Sequence, residues 1–153
     1  MDTNGNSKEL LIKDLCSRLP YGVKCYAYQY KIDGNDCECY GILTGINNGY
    51  FYLSDRVPIN GGKTYDERYL EVRPYLRPMS SMTEEEKKIM SSYGFELIPY
   101  DTGYTGFANI ENYIDEVSFR FMEEFLNSHH FDYRGLIPMG LALEAPEDMY
   151  KNE

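Results

Sequence analysis

The dipeptide Asn48-Gly49, set between two runs of strand-forming residues, constrains this chain more than any other feature. A type I′ turn needs positive φ at both central positions, and Asn-Gly meets that need at low steric cost, so the segment reads as a β-hairpin. Its arms are 37–46 (CECYGILTGI) and 50–54 (YFYLS). A further run, 23–32 (VKCYAYQYKI), precedes them across Asp33-Gly34-Asn35-Asp36. If both turns set register, paired residue numbers sum to 69 in the first hairpin and 97 in the second. Lys31 then faces Glu38, a favourable cross-strand charge pair. Tyr28 lies opposite Gly41, and Tyr52 opposite Gly45.

That register predicts one face carrying Tyr26, Tyr28, Tyr30, Ile32, Cys37, Cys39, Leu43 and Tyr52. The other carries Val23, Ala27, Ile42, Ile46, Phe51 and Leu53, with Cys25 on that side too. Neither face is polar throughout, so the sheet needs cover on both sides. A further short strand, 69–73, ends at Pro74. Short strands joined by tight turns predict a curved antiparallel sheet or a small SH3-like barrel.

Helical signals flank the strands. Ser7 caps an expected helix over 8–19 with Leu11, Leu15 and Leu19 as its stripe, stopped by Pro20. Thr83-Glu84-Glu85-Glu86 is a capping box, opening a helix that ends near Gly94. Residues 95–108 read as loop or irregular strand. A longer helix is expected over 110–128, with Ile110, Ile114, Val117, Phe121 and Phe125 inward and the acids, among them Glu116, Glu123 and Glu124, facing water. The tail, 131–150, is apolar enough to dock back. The expected whole is a disordered start over 1–7 and a single α+β domain over 8–150, with the acidic helices as the sheet's cover.

Charge divides the chain. Residues 1–78 hold equal numbers of acids and bases, so the formal net charge of −10 sits in residues 79–153. Residues 1–20 lack the apolar core of a signal peptide, and no stretch approaches the ~20 apolar residues of a membrane span. The chain therefore reads as cytoplasmic, with Cys16, Cys25, Cys37 and Cys39 as reduced thiols.

Three segments carry a resemblance: 8–25 (KELLIKDLCSRLPYGVKC), 74–88 (PYLRPMSSMTEEEKK) and 129–150 (HHFDYRGLIPMGLALEAPEDMY). Together they resemble a family of small uncharacterised proteins from gut bacteria and their resident phages, in which these segments flank a variable middle. The resemblance implies an intracellular accessory protein on a mobile element. It brings no activity, cofactor or site residue with it.

No motif specifies a reaction: there is no phosphate-cradling Gly-rich loop, no nucleophile elbow and no His-x₃-His pair. Cys37-x-Cys39 has the wrong spacing for a zinc knuckle, and the expected register splits the thiols across two faces. A Cys–His nucleophile pair needs an electropositive setting, whereas His129 and His130 lie in the acidic half near a helix C-terminus, where they suit its negative pole. No metal or cofactor is therefore expected, and no catalysis. The reading that results is a binding module for another protein, with Tyr26, Tyr28, Tyr30, Tyr52, Glu116, Glu123 and Glu124 as candidate contacts. An alternative is single-stranded nucleic acid stacked on the tyrosines, beside Lys24, Lys31, Arg56, Arg68, Arg73 and Arg77. Against it stands the absence of excess positive charge. A small-molecule-binding protein or an enzyme of an unrecognised kind is the remaining alternative.

Overall fold

A computed structural model describes residues 4–29, 37–59, 68–99, 105–109 and 116–151. The chain divides into two compact units, Met1–Tyr75 with Leu141–Leu143, and Leu76–Gly140 with Glu144–Glu153.

In the first unit, helix α1 (Asn4–Arg18) begins ahead of Ser7, which lies inside it rather than capping it. A 3-10 turn over Leu19–Tyr21 follows, with Pro20 near its start, and Gly22 ends it at φ 67°, a left-handed conformation open to glycine at no steric cost. Strands β1 (Lys24–Gln29), β2 (Cys37–Asn47), β3 (Tyr50–Pro58), β4 (Arg68–Tyr69) and β5 (Glu71–Leu76) come next. The six-stranded order is β4-β3-β2-β1-β5-β8, with β8 (Leu143–Glu144) on the far edge. Among the described residues this order does not close on itself, so the sheet is open and not a barrel. Pro74 sits inside β5, opposite Cys25, rather than ending a strand.

The Asn48-Gly49 hairpin has the expected register: Gly45 faces Tyr52, Ile46 faces Phe51 and Asn47 faces Tyr50. The first hairpin does not. Tyr26 pairs with Tyr40 and Tyr28 with Glu38, a sum of 66 instead of 69. An odd shift exchanges the faces of one strand relative to its neighbour. Cys39 and Leu43 therefore point away from Tyr26 and Tyr28, and Cys25 shares the side of Cys39. That inner side is the core of the unit, with Cys25, Ala27, Cys39, Leu43, Phe51, Leu53, Tyr69 and Val72 all buried. Tyr30, Lys31, Ile32 and the Cys37 side chain lie outside the described residues, and Glu38, the expected partner of Lys31, faces Tyr28.

Helix α1 contributes Leu11 and Leu15 to the core, but the next stripe position is taken by Arg18, fully buried and paired with buried Asp14. Leu19 is only half-buried.

The second unit holds α2 (Glu84–Ser92), a two-stranded antiparallel sheet of β6 (Phe95–Pro99) and β7 (Thr105–Asn109), and α3 (Glu116–Ser128). The capping box forms as the sequence predicts, Thr83 accepting from the Glu86 amide and Glu86 accepting from the Thr83 amide. Gly94 follows at φ 87°. Residues 95–99 and 105–109 make a regular hairpin where loop or irregular strand was expected. Residues 110–115 lie outside the described residues, so α3 is described from Glu116. Its buried stripe is Met122, Phe125 and Leu126, in a cluster with Met79, Met82, Met90, Phe95 and Phe131. Val117 and Phe121, expected inside, are outside. No helix among the described residues is long and apolar enough to cross a membrane.

Candidate functional site

Alternation along β1, β2 and β5 sends Cys25, Ala27, Cys39 and Val72 inward, so Tyr26, Tyr28, Tyr40 and Tyr75 stand on the opposite, outward side, each half-buried. Tyr26 lies between Tyr40 on one neighbouring strand and Arg73 on the other. The Arg73 guanidinium sits 5.1 Å from the Tyr26 ring centre, a cation–π contact. Tyr40 and Tyr75 meet edge to face, centroids 6.5 Å apart at 86°. The outward face is thus a knit aromatic platform rather than scattered rings.

Its electrostatics are set by close neighbours. Partial burial pushes the Tyr26 phenol above its ordinary range, and the Glu38 charge and hydrogen bond push the same way, while Arg73 opposes them. Burial also raises Tyr75, helped by Tyr26 and Tyr40 beside it. These phenols are neutral hydrogen-bonding groups at neutral pH. Among the described residues, Lys24 and Arg73 stand with Glu38 and Glu71 around the four rings, two bases against two acids, with Arg68 further along the same side beside Tyr52.

Tyr52 is also outward, because Phe51 and Leu53 on either side of it are buried. It faces Gly45 and Arg68, and Arg68 lies 5.3 Å from the ring of Tyr50. Of the tyrosines expected to bind, the structure therefore puts Tyr26, Tyr28 and Tyr52 on one side of the sheet. Sequence reasoning missed Tyr40 because a register sum of 69 puts it on the other face from Tyr26, and Tyr75 because the strand was expected to end at Pro74, which instead sits inside β5. Tyr69 does the opposite job. It is buried on the inner side, where the Cys39 thiol donates to its hydroxyl at 3.2 Å, and burial first, then that bond, raises its phenol to about 12.

In the second unit, Glu116 and Glu123 come together on one side of α3, lining a cleft of about 390 Å³ with Phe119 and Arg120. Glu124 is exposed on a different side of the helix. Both histidines pack at the C-terminal end of α3. His129 Nδ1 lies 3.0 Å from the Phe125 carbonyl oxygen, at the helix C-terminus where the sequence places it. His130 is buried, left-handed at φ 63°, and stacked on Tyr150 at 3.8 Å. Its carbonyl accepts from the Arg77 amide, while the Asp132 amide donates to the Arg77 carbonyl. The Asp132 carboxylate then accepts from the amides of Leu136 and Ile137. The segment from His129 to Ile137 is thereby a hydrogen-bonded knot.

These features define an α+β protein with an aromatic-faced open sheet and a separate acidic helical surface. No protein-family model, curated protein or solved structure matches the chain.

Proposed function

We propose that this chain is a non-catalytic binding module that docks another protein on the tyrosine platform of its sheet. The observation that carries the reading is the outward placement of Tyr26, Tyr28, Tyr40 and Tyr75 with two bases and two acids around them. Half-buried tyrosines offer large, stiff contact area with a hydroxyl at the rim, which is what protein interfaces enrich. A single strand of nucleic acid would also stack on these rings, yet phosphate needs a surplus of positive charge beside them. Here Glu38 and Glu71 offset Lys24 and Arg73. The proposal takes the chain as an intracellular accessory protein, the context implied by the resemblance of its flanking segments.

A photo-crosslinking residue in place of Tyr28, expressed in the native host, tests the reading. One discrete protein adduct, lost when Tyr26→Ala and Tyr40→Ala are added to a chain that still folds, is the expected result. Salt-sensitive binding of an oligothymidylate that disappears with the same substitutions would replace it with the nucleic-acid reading. Crosslinking no stronger than from a probe at exposed Glu9 would remove the platform as an interface.

A further inference from the structure

Along β1 the outward residues stand in three successive rows, each completed by the neighbouring strands. At one end Tyr28 has Glu38 beside it on β2 and Glu71 beside it on β5. In the middle Tyr26 lies between Tyr40 and Arg73. At the other end Lys24 faces Ile42, and the step beyond the Cys25–Pro74 pair brings Tyr75 to its other side. Successive outward residues are ~7 Å apart along a strand, so ~13 Å separates the acid row from Lys24. Arg68, beside Tyr52 opposite Gly45, lies beyond Lys24 in the same direction. The rings are therefore set between an acidic end and a basic end.

We propose that the partner of the tyrosine platform is a second copy of this chain, docked face to face with its β1 antiparallel. The inference rests on the reading of the platform as a protein interface. A two-fold axis lying across the strands through the Tyr26 row reverses the direction of the second sheet. Lys24 of each copy then meets Tyr28 of the other, with Glu38 and Glu71 on either side of that ring. It receives a ring face and carboxylates together. Tyr26 and Tyr40 meet their own counterparts at the axis, as an isologous interface requires. Arg73 stays over its own Tyr26 ring, at 5.1 Å, with a Glu71 one step away on each side, its own and the second copy's. An axis along the strands would instead lay Lys24 on Lys24 and the acid row on the acid row, which repels. Phosphate of nucleic acid meets the acid row with like charge. A second copy is complementary at both ends at once, because the pattern that it must match is its own reversed.

The test is sedimentation equilibrium of the whole purified protein over about 1–100 μM, where a face of this size should give a reversible dimer. Lys24→Glu alone and Glu71→Lys alone should each weaken that dimer at least about tenfold, with the circular dichroism spectrum unchanged. Mixed in equal amounts, the two variants should recover dimer as a heterodimer. At each contact between position 24 of one chain and position 71 of the other, a base then meets an acid again. Within one chain the two positions are ~13 Å apart, beyond the ~8 Å screening length at physiological salt, so the recovery reads contact between chains. Lys24→Gln, a milder change for the fold, should weaken the dimer in the same direction. A monomer throughout the range, a dimer that the single changes leave intact, or a mixture no tighter than its components would each overturn the proposal. A Tyr28-position photo-adduct with a different protein, the purified chain being monomeric, would overturn it while leaving the platform a protein interface. No adduct at all, with a monomeric chain, would remove both readings.

Discussion

Arg77 and Glu86 meet as a two-pronged ion pair, Nη1 donating to Oε2 and Nη2 to Oε1, each at 2.8 Å. The same carboxylate accepts from the Thr83 amide at 2.9 Å, and the guanidinium lies 4.1 Å from the ring centre of Phe131. One side chain therefore closes the capping box of α2 and ties it to Arg77. Such planar, charge-assisted contacts are among the stronger polar interactions a protein makes.

This pair predicts a pH dependence. Burial by itself raises the Glu86 carboxyl, but the Arg77 hydrogen bonds, with those from Thr83, outweigh it and hold the group at about 2. The unfolded chain regains the ordinary value of 4.5. Between those values the unfolded state binds more protons, so the stabilisation is complete above about pH 5 and is lost as pH falls towards about 2. Glu86→Gln should cost on the order of 2 kcal/mol at neutral pH. Urea unfolding across this range should show variant and parent converging at the acid end; a gap that persisted there would rule out the ion pair as its source.

The buried pair in α1 predicts coupling. Arg18 Nε and Nη2 lie 2.7 and 3.0 Å from the two Asp14 oxygens, with both side chains fully buried. Asp14→Asn or Arg18→Met alone leaves a buried group without its counter-charge and should cost about 3 kcal/mol. Asp14→Leu with Arg18→Met removes both and should cost much less than the sum of the single changes. A double-mutant cycle by chemical denaturation measures the difference; strict additivity would refute the coupling.

Two strand glycines should behave oppositely. A Cβ on Gly41 would stand 2.7 Å from the Ser54 carbonyl oxygen and 3.1 Å from Arg56 Cγ, where the ladder between β2 and β3 shifts register. Gly41→Ala should cost about 1–3 kcal/mol, since a backbone atom must move. At Gly45 a Cβ meets nothing within 4 Å, and Gly45→Ala should stay within about 0.5 kcal/mol of the parent. Thermal unfolding of the two variants checks the contrast.

Thiol reactivity follows burial. Cys16 is exposed, while Cys25 and Cys39 are fully buried. Burial, reinforced by the Asp14 charge, drives the Cys25 thiol far up, with Arg18 opposing only in part. Because the thiolate is the reactive form, an alkylating reagent should label Cys16 in the native protein and reach Cys25 and Cys39 only on unfolding. Peptide mass spectrometry after timed labelling resolves the three sites; prompt native labelling of Cys25 would contradict the buried core described here.

Much of the outline was legible in the residues because its signals are local. Asn48-Gly49 dictates a tight turn by φ alone, and the register that follows places Tyr52 over Gly45 as expected. Thr83 and Glu86 satisfy each other's backbone amides within a single turn, so the start of α2 needs no distant partner. The tyrosines of β1 announced an unusual sheet face, and the acids of α3 announced a polar helix surface, two of which share a cleft.

What failed to show in the sequence depended on distant elements. The residues joining β1 to β2 lie outside the described residues, and the two strands pair at a sum of 66, with Cys25 and Cys39 inside and Tyr40 beside Tyr26 outside. Apolar periodicity offered two stripes on α3, and packing against Met79, Met90 and Phe95 chose Met122 and Leu126 over Val117 and Phe121. Arg18 reads as the polar neighbour of a leucine stripe until Asp14, one helical turn away, is seen to be buried with it. Composition, turns, caps and charge are properties of neighbouring residues, and the chain by itself determined those. Which face is covered, and which groups can be buried together, depends on free energies shared between segments far apart in sequence, and only the tertiary structure decided them.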